Sequence, residues 1–259
     1  MTSNFLHIES IGRGPDVVLL HGWAMNSTVW RGVAAALSDD FCLHLVDLPG
    51  HGKSHRDQPL SLDYMVAALD AAFPRPVQVM GWSLGGAVAS RWALAQPDKI
   101  RSLSLIASTP CFMQREDWQP AMAASTMSQF AESLAVDWQG TLKRFISLQV
   151  QGGEAARVLA KTLSQELFLH GEPSLAALQQ GLAILRDTDL RGQMAELSCP
   201  VLLQFGNRDT LTPLGAGEWL AQTLPHAELV VHAGAAHVPF ASHLDDFVAV
   251  QRRFLARGM

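Results

Sequence analysis

A serine within a glycine-rich motif is the residue of this sequence whose surroundings most favour catalysis. Residues 81–86 read GWSLGG and match the pattern G-x-S-x-G with Ser83 at the centre. An apolar strand is predicted before the motif and a helix of small residues after it, and this context gives the motif its meaning. Such a turn strains the backbone and lifts the hydroxyl above the carboxyl edge of a sheet. We therefore expect Ser83 to be a nucleophile; an ordinary strand–helix turn is the alternative.

A serine nucleophile needs a general base, usually a histidine that a carboxylate orients. Of the ten histidines, His237 occupies the loop between the last predicted strand and the last predicted helix. Asp209 is the only carboxylate in the loop that follows the strand predicted at 199–206. A surface histidine and a turn aspartate are the alternatives. The chain order of Ser83, Asp209 and His237 is that of one class of serine hydrolases and predicts a catalytic triad.

Acyl transfer also requires hydrogen-bond donors for the oxyanion of the tetrahedral intermediate. Leu84 follows the nucleophile and begins a predicted helix, so we expect its backbone N–H to be one donor. We expect the second donor to be the N–H of Trp23, which follows His21 and Gly22 after the first parallel strand. The indole of Trp23 would also line the substrate pocket; a residue that only packs in the core is the alternative.

The elements that would position these residues alternate between strands and helices. Runs rich in Val, Leu and Ile are typical of strands buried on both faces of a parallel sheet, and they lie at 16–22, 41–48, 77–83, 101–108, 199–206 and 227–234. Helical patterns separate them, near 28–37, 61–73, 84–96, 213–224 and 242–256. This alternation predicts an α/β fold, a mostly parallel sheet with helices on both faces. We expect residues 5–10 to pair antiparallel at an edge.

The region 111–187 breaks the alternation, because it contains no convincing strand. Its pattern predicts four helices, at about 118–135, 137–150, 154–168 and 174–186. We expect this block to be a helical cap or lid, inserted between a first core part, 1–110, and a second core part, 188–259. One more packing layer is the alternative.

Composition and charge exclude several classes of protein. The 259 residues are 48% hydrophobic and 17% charged, which is typical of a globular domain and not of a disordered chain. A net charge of −5 gives no basic field that would attract nucleic acid. The segment 52–54, GKS, resembles a phosphate-binding loop, but Asp47 stands where that motif needs glycine. We interpret 47–54 as a structural turn near the oxyanion loop.

The cysteines and the amino-terminal segment bear on compartment and cofactors. Cys42, Cys111 and Cys199 form no disulfide or metal-binding pattern, and we expect Cys42 and Cys199 to be small buried side chains. The sequence shows neither a signal-peptide pattern nor an apolar run long enough to span a membrane. We expect a cytoplasmic monomer that needs no metal and no organic cofactor.

Five motifs together resemble the α/β-hydrolase family over nearly the whole chain: HGW at 21–23, DLPGHGKS at 47–54, GWSLGG at 81–86, GNRDTLTP at 206–213 and AAHVPF at 235–240. With Trp82 and the cap segment 144–150, the pattern is similar to the carboxylesterases of biotin synthesis. That resemblance implies hydrolysis of the methyl ester of a pimeloyl chain carried on acyl carrier protein. It also implies substrate contacts from Trp23, Ser83, Leu84, Phe145, Gln149 and His237.

Charge gives an independent hint about the partner. Within 143–161 the cap carries four basic side chains against one acid, Glu154. The basic residues are Lys143, Arg144, Arg157 and Lys161. Acyl carrier proteins are acidic, so this patch could dock one. A solvated helix face is the alternative.

Other functions share the same motifs. An enol-lactonase or a carbon–carbon bond hydrolase could use the same triad, and an acyltransferase would need an acceptor alcohol to outcompete water. A non-catalytic ligand receptor on a hydrolase scaffold belongs to a different class.

Overall fold

A computed structural model describes residues 6–150 and 154–258. The described residues form one seven-stranded sheet in the order β1-β3-β2-β4-β5-β6-β7. Its strands are β1 (Ile8–Gly12), β2 (Asp16–Leu20), β3 (Cys42–Val46), β4 (Val77–Trp82), β5 (Ile100–Ile106), β6 (Val201–Gly206) and β7 (Ala227–His232). Strand β1 runs antiparallel to β3, and every other neighbouring pair is parallel. The predicted parallel sheet and its antiparallel edge are confirmed.

Helices cover both faces of the sheet, as the alternating pattern predicts. Helix α1 packs against α10, and α2 packs against α3. The helices are α1 (Arg31–Leu37), α2 (Leu62–Ala72), α3 (Leu84–Ala95), α4 (Ala124–Val136), α5 (Trp138–Gln149), α6 (Glu154–Glu166), α7 (Leu175–Asp187), α8 (Leu214–Thr223), α9 (Pro239–Ser242) and α10 (Leu244–Arg257), with 3-10 turns at Ser27–Trp30, Pro97–Lys99 and Arg191–Glu196. Among the described residues, no helix is both long and apolar enough to cross a bilayer.

Four helices, α4 to α7, lie between β5 and β6 and are called here the helical insert. The chain enters and leaves the insert at one place. Cys111 and Asp189 form an antiparallel bridge there, and the N–H of Leu190 donates to the carbonyl of Pro110 over 2.8 Å. These bonds tie both ends of the insert to the carboxyl edge of the sheet.

Two expectations that were based on the sequence are wrong. The helix predicted from 118 begins only at Ala124, because the preceding residues form bridges, among them Arg115 with Trp118. Cys42 is half-buried instead of buried, because it begins β3 near the edge of the sheet. Cys199 is buried as expected, and the three cysteines are unpaired.

A chain of buried polar side chains joins α10 to three strands. Gln251 donates from Nε2 to Ser104 Oγ over 2.7 Å and accepts from Gln204 Nε2 over 2.9 Å. Gln204 Oε1 in turn lies 2.9 Å from His232 Nε2. Buried polar groups are stable only when they are paired, so this chain specifies one position of α10 against the sheet.

Replacing Gln251 by leucine should destabilise the fold strongly. Gln251→Leu leaves the NH2 group of Gln204 and the hydroxyl of Ser104 without these partners, and each buried unpaired group costs about 1–3 kcal/mol. Urea unfolding should show a loss of at least about 2 kcal/mol. Arg257→Ala, which removes only an exposed ion pair with Glu228, is the control and should cost less than about 1 kcal/mol. Equal losses in the two variants would contradict this account of the network.

Candidate active site

Ser83 lies in the tight turn between β4 and α3 with a backbone φ of 54° and ψ of −118°. This conformation is unfavourable for a residue with a side chain, so the surroundings must impose it. A Cβ at Gly81 would overlap the carbonyl oxygen of Gly85, and a Cβ at Gly85 would overlap that of Leu20. The glycines two before and two after Ser83 are therefore required because backbone segments approach them closely.

The turn around Ser83 is also hydrogen-bonded to the neighbouring strand. The N–H of Ser83 donates to the carbonyl of Ile106 over 3.0 Å, and its own carbonyl accepts from Ser108 Oγ over 2.8 Å. Ser83 is 6% exposed. These bonds hold the strained residue in place above β4.

The Asp209 carboxylate and the His237 imidazole form a buried pair. Asp209 Oδ2 lies 2.7 Å from His237 Nδ1 and accepts from Thr212 Oγ1 over 2.6 Å. Its other oxygen, Oδ1, accepts from the N–H groups of Leu211 and Thr212 over 2.8 and 3.0 Å. Because the Asp209 carboxylate only accepts hydrogen bonds, it favours a proton on Nδ1 of His237. The lone pair of Nε2 is then available as a base.

The loop that carries His237 is held from two sides. Its N–H donates to the carbonyl of Gln149 at the end of α5 over 3.1 Å. Its carbonyl accepts from the indole Nε1 of Trp82, the residue before the nucleophile, over 2.8 Å. The helical insert and β4 therefore both fix the backbone position of the candidate base.

Two backbone N–H groups next to Ser83 are available for an oxyanion. Among the described residues, neither the N–H of Trp23 nor that of Leu84 has an acceptor. Leu84 is the first residue of α3, whose positive dipole end faces the turn. A Cβ at Gly22, the neighbour of Trp23, would lie 3.3 Å from the Cβ of Ser83. The two predicted donors thus belong to segments that flank the serine.

A neutral buried histidine sets the shape of the oxyanion loop. His21 Nε2 accepts from the N–H of Leu48 over 3.0 Å, so its Nδ1 carries the proton and donates to the carbonyl of Gly22 over 2.8 Å. Burial, together with the neighbouring His51, lowers the pKa of His21 to about 3. The turn at 47–54 lies beside this loop as expected, because Asp47 Oδ1 accepts from the N–H of Ser27 over 2.7 Å.

The helical insert packs onto the oxyanion loop through polar contacts. Trp23 Nε1 donates to the carbonyl of Leu178 over 2.9 Å, and Asn26 Nδ2 donates to that of Glu166 over 2.8 Å. His170 Nδ1 lies 2.8 Å from Asp47 Oδ2 in a fully buried pair. The insert is thus bonded directly to the segment that would stabilise the oxyanion.

Three aromatic rings pack together where the helical insert meets the oxyanion loop. The ring of Trp23 meets that of Phe145 edge to face at 4.9 Å, and Phe130 packs on both at 6.3 and 5.7 Å. The side chain of Gln149 is completely buried, and its amide has no hydrogen-bond partner among the described residues. Phe130 and Thr212 were not predicted from the sequence, because a helix phenylalanine and a turn threonine carry no signal of their own.

The four predicted docking residues are all exposed, on two neighbouring helices. Lys143 and Arg144 lie on α5, and Arg157 and Lys161 lie on α6. Lys143 and Arg144 line a groove of about 570 Å³ between α4 and α5, whose wall includes Phe130. The groove therefore leads from charged surface residues towards the aromatic cluster.

Acid should destabilise the protein through His21. Its folded pKa of about 3 lies below the usual value of about 6.5, so the unfolded chain binds a proton that the folded chain does not. Stability should fall by up to about 1.4 kcal/mol per pH unit as the pH drops below about 6.5.

The variant His21→Gln can accept from Leu48 but does not titrate, so its unfolding free energy should depend less steeply on pH in this range. Urea unfolding at several pH values measures the slope, with the exposed His55→Gln as the control. An unchanged slope in His21→Gln would mean that another group causes the acid sensitivity.

Comparison with known proteins agrees with this geometry. The family model described as alpha/beta hydrolase fold matches residues 15–244. A protein of Nitrosomonas europaea named "Pimeloyl-[acyl-carrier protein] methyl ester esterase" is 50% identical over 94% of this chain and 97% of its own length. A protein of Chromobacterium violaceum with the same name is 45% identical over 94% and 95%. The solved structure of an esterase from Exiguobacterium antarcticum superposes with a TM-score of 0.88 at 23% identity, covering 97% of this chain and 95% of that one.

The mostly parallel sheet and the chain order of the serine, the aspartate and the histidine are typical of α/β-hydrolases. The match covers most of the chain, and the two named relatives extend it nearly to full length. The chain belongs to the α/β-hydrolase family.

Proposed function

We propose that the chain is a serine carboxylesterase that hydrolyses the methyl ester of a pimeloyl chain carried on acyl carrier protein. The observation that carries the esterase chemistry is the strained Ser83 turn, which is joined through Trp82 to the loop of the Asp209–His237 pair. Two N–H groups near the turn have no acceptor in the described part of the chain. The names of relatives that are 45–50% identical support the substrate.

Catalysis begins when His237 Nε2 takes the proton of Ser83 and Oγ attacks the ester carbonyl carbon. The N–H groups of Trp23 and Leu84 bind the oxyanion, and Asp209 stabilises the imidazolium through the Nδ1 hydrogen bond. The imidazolium then protonates the departing methoxide, and methanol leaves. Water, deprotonated by the same histidine, hydrolyses the acyl-enzyme and restores the serine. These steps use only groups of the chain and water.

The acyl chain would occupy the space beside the aromatic cluster of Trp23, Phe130 and Phe145. Apolar rings suit the methylene groups of a pimeloyl chain. The buried amide of Gln149 has no partner within residues 6–150 and 154–258, so a polar group of the substrate would satisfy it. We assign substrate contacts to Phe145 and Gln149 on this basis, with the helical insert 111–187 acting as the cap.

The carrier protein would dock on the exposed basic residues of α5 and α6. A methyl ester reaching Ser83 from a carrier outside the cap needs a passage, and the groove between α4 and α5 leads towards Phe130. Positive charge at its rim would attract an acidic carrier and raise the association rate.

We further propose that the protein is a monomer. We also propose that it lies in the cytoplasm, because three unpaired cysteines suit a reducing compartment.

Ser83→Ala should abolish most turnover without unfolding the protein. The substitution removes only the hydroxyl, so we expect kcat on the carrier-bound methyl ester to fall by at least about a thousandfold. Methanol release by wild type and variant measures it, with circular dichroism to confirm the fold. Turnover retained in Ser83→Ala would reject the nucleophile.

A substrate panel separates the remaining candidates. Wild type should prefer the carrier-bound pimeloyl methyl ester to free short esters and to enol-lactones. Preference for a lactone or for a carbon–carbon substrate would retain the triad chemistry but reject the proposed substrate. Transfer of the acyl group to an added alcohol would identify an acyltransferase.

Reversing charge at the groove should weaken only the reaction with the carrier. The double variant Lys143→Glu/Arg144→Glu should lower kcat/KM for the carrier-bound ester by about tenfold or more at low salt, with the effect decreasing as salt is added. Turnover of free dimethyl pimelate should stay unchanged, because the triad is untouched. Arg253→Glu, an exposed residue of α10, is the matched control. Equal losses on both substrates would show that the groove residues do not act through the carrier.

A further inference from the structure

A second cluster of chemically reactive side chains lies at the amino ends of β2 and β3, remote from the carboxyl edge that carries Ser83. Asp16 and Cys42 are partners in the parallel register, and His44 follows two residues after Cys42. Residues paired across strands, and residues two apart on one strand, point to the same face of a sheet. The carboxylate, thiol and imidazole therefore converge on one face.

The distances within this cluster approach those of a metal centre. Asp16 Oδ1 lies 2.8 Å from His44 Nε2, and one possible ligand atom from each of Asp16, Cys42 and His44 lies within 4.8 Å of the other two. In a tetrahedral zinc site, bonds of about 2.0–2.3 Å keep ligand atoms about 3.3–3.8 Å apart. Side-chain movements of about 1 Å would thus bring the three atoms to bonding distance of one ion.

The histidine of the cluster is oriented as metal-binding histidines usually are. Its other ring nitrogen, Nδ1, lies 2.8 Å from Ser10 Oγ, which belongs to the residue directly opposite on β1. A bond at the second nitrogen fixes the ring and the tautomer of a metal ligand. The ring also packs against Phe73 at 5.4 Å, so both its position and its tilt are set by the fold.

The site is open to solvent on one side. His44 and Asp16 side chains are 16% and 31% exposed, and Cys42 is half-buried. A cavity of about 350 Å³ borders Asp16, His44 and Ser10, with the exposed Arg75 at its edge. An ion can therefore enter, and water from the cavity can fill its fourth position.

We propose that Asp16, Cys42 and His44 form a binding site for a zinc-type divalent transition metal. Thiolate, imidazole and carboxylate are the ligands that zinc takes in proteins, and softer ligands such as thiolate disfavour Mg²⁺ and Ca²⁺. An ion there would tie the first residues of β2 and β3 together on the side of the sheet opposite to the catalytic edge. Its role would be to stabilise the fold, not to participate in ester hydrolysis.

Binding releases one proton per ion. In the metal-free protein His44 donates from Nε2 to Asp16, and Nδ1 accepts from the hydroxyl of Ser10. When the ion takes the lone pair of Nε2, the ring proton lies on Nδ1 and donates to Ser10 Oγ. A metal ion binds cysteine as the thiolate, so the thiol of Cys42 supplies the proton that leaves.

Titration with Co²⁺ tests the proposal, because a cobalt–thiolate bond gives a charge-transfer absorption that nitrogen and oxygen ligands do not give. Wild type should bind one Co²⁺ with this absorption, and Zn²⁺ should displace it. Cys42→Ala should lose the absorption. Cys199→Ala removes a cysteine outside the cluster and serves as the control, so it should retain the absorption. Ser10→Ala should weaken Zn²⁺ binding by roughly tenfold, since it removes the partner of a ligand.

Two further variants test the site independently of Cys42. Asp16→Asn retains size and should weaken Zn²⁺ binding even if Cys42→Ala does not fold. His170→Ala should leave the absorption unchanged; it removes a second cluster of possible ligands, His7, Asp47 and His170, which contains no sulfur. Absence of binding, binding without the thiolate absorption, or loss of the absorption only in His170→Ala would overturn the proposal.

Discussion

The backbone strain at Ser83 is the constraint on which the site depends. A side-chain-bearing residue with a φ of 54° persists only when its neighbours leave it no alternative. Here the glycines at 81 and 85 allow β4, α3 and the end of β2 to approach closely enough to impose that conformation. The same close approach brings Leu84 and Trp23 near the serine, and their N–H groups have no acceptor in the part of the chain that the structure describes. The packing of the core and the positions of the two candidate oxyanion donors therefore depend on the same close contacts.

The helical insert contributes to the site in more than one way. Its backbone carbonyl at Gln149 fixes the His237 loop, and its carbonyl at Leu178 fixes the indole of Trp23. The candidate base and the oxyanion loop are both bonded to the insert, so any movement of these helices would change their positions. A cap that only covered the site would not need such bonds. Two backbone carbonyls of the insert, those of Gln149 and Leu178, therefore link these helices to the His237 loop and to the indole of Trp23.

Local signals in the sequence predicted the sheet, its antiparallel edge and most helices, because buried parallel strands and amphipathic helices have distinct residue periods. The loops of Ser83, Asp209 and His237 could be located because each follows a strand. Side-chain contacts and degrees of burial that depend on the folded chain could not be predicted. Thr212 beside Asp209, Phe130 beside Trp23 and the half-buried Cys42 depend on how chains approach in space, which single residues do not reveal. The insert was predicted as helices, but its first turn was misplaced where short bridges override helix propensity.

The central claim is that the Asp209–His237 pair activates Ser83 and no other hydroxyl of this chain. Reaction with a fluorophosphonate followed by peptide mass spectrometry tests that claim most directly, because the probe bonds covalently to an activated serine. The account predicts one adduct per chain, on the peptide that contains Ser83, and a large decrease in its rate of formation in Asp209→Asn. An adduct on a different residue, or no adduct on folded wild-type protein, would contradict it.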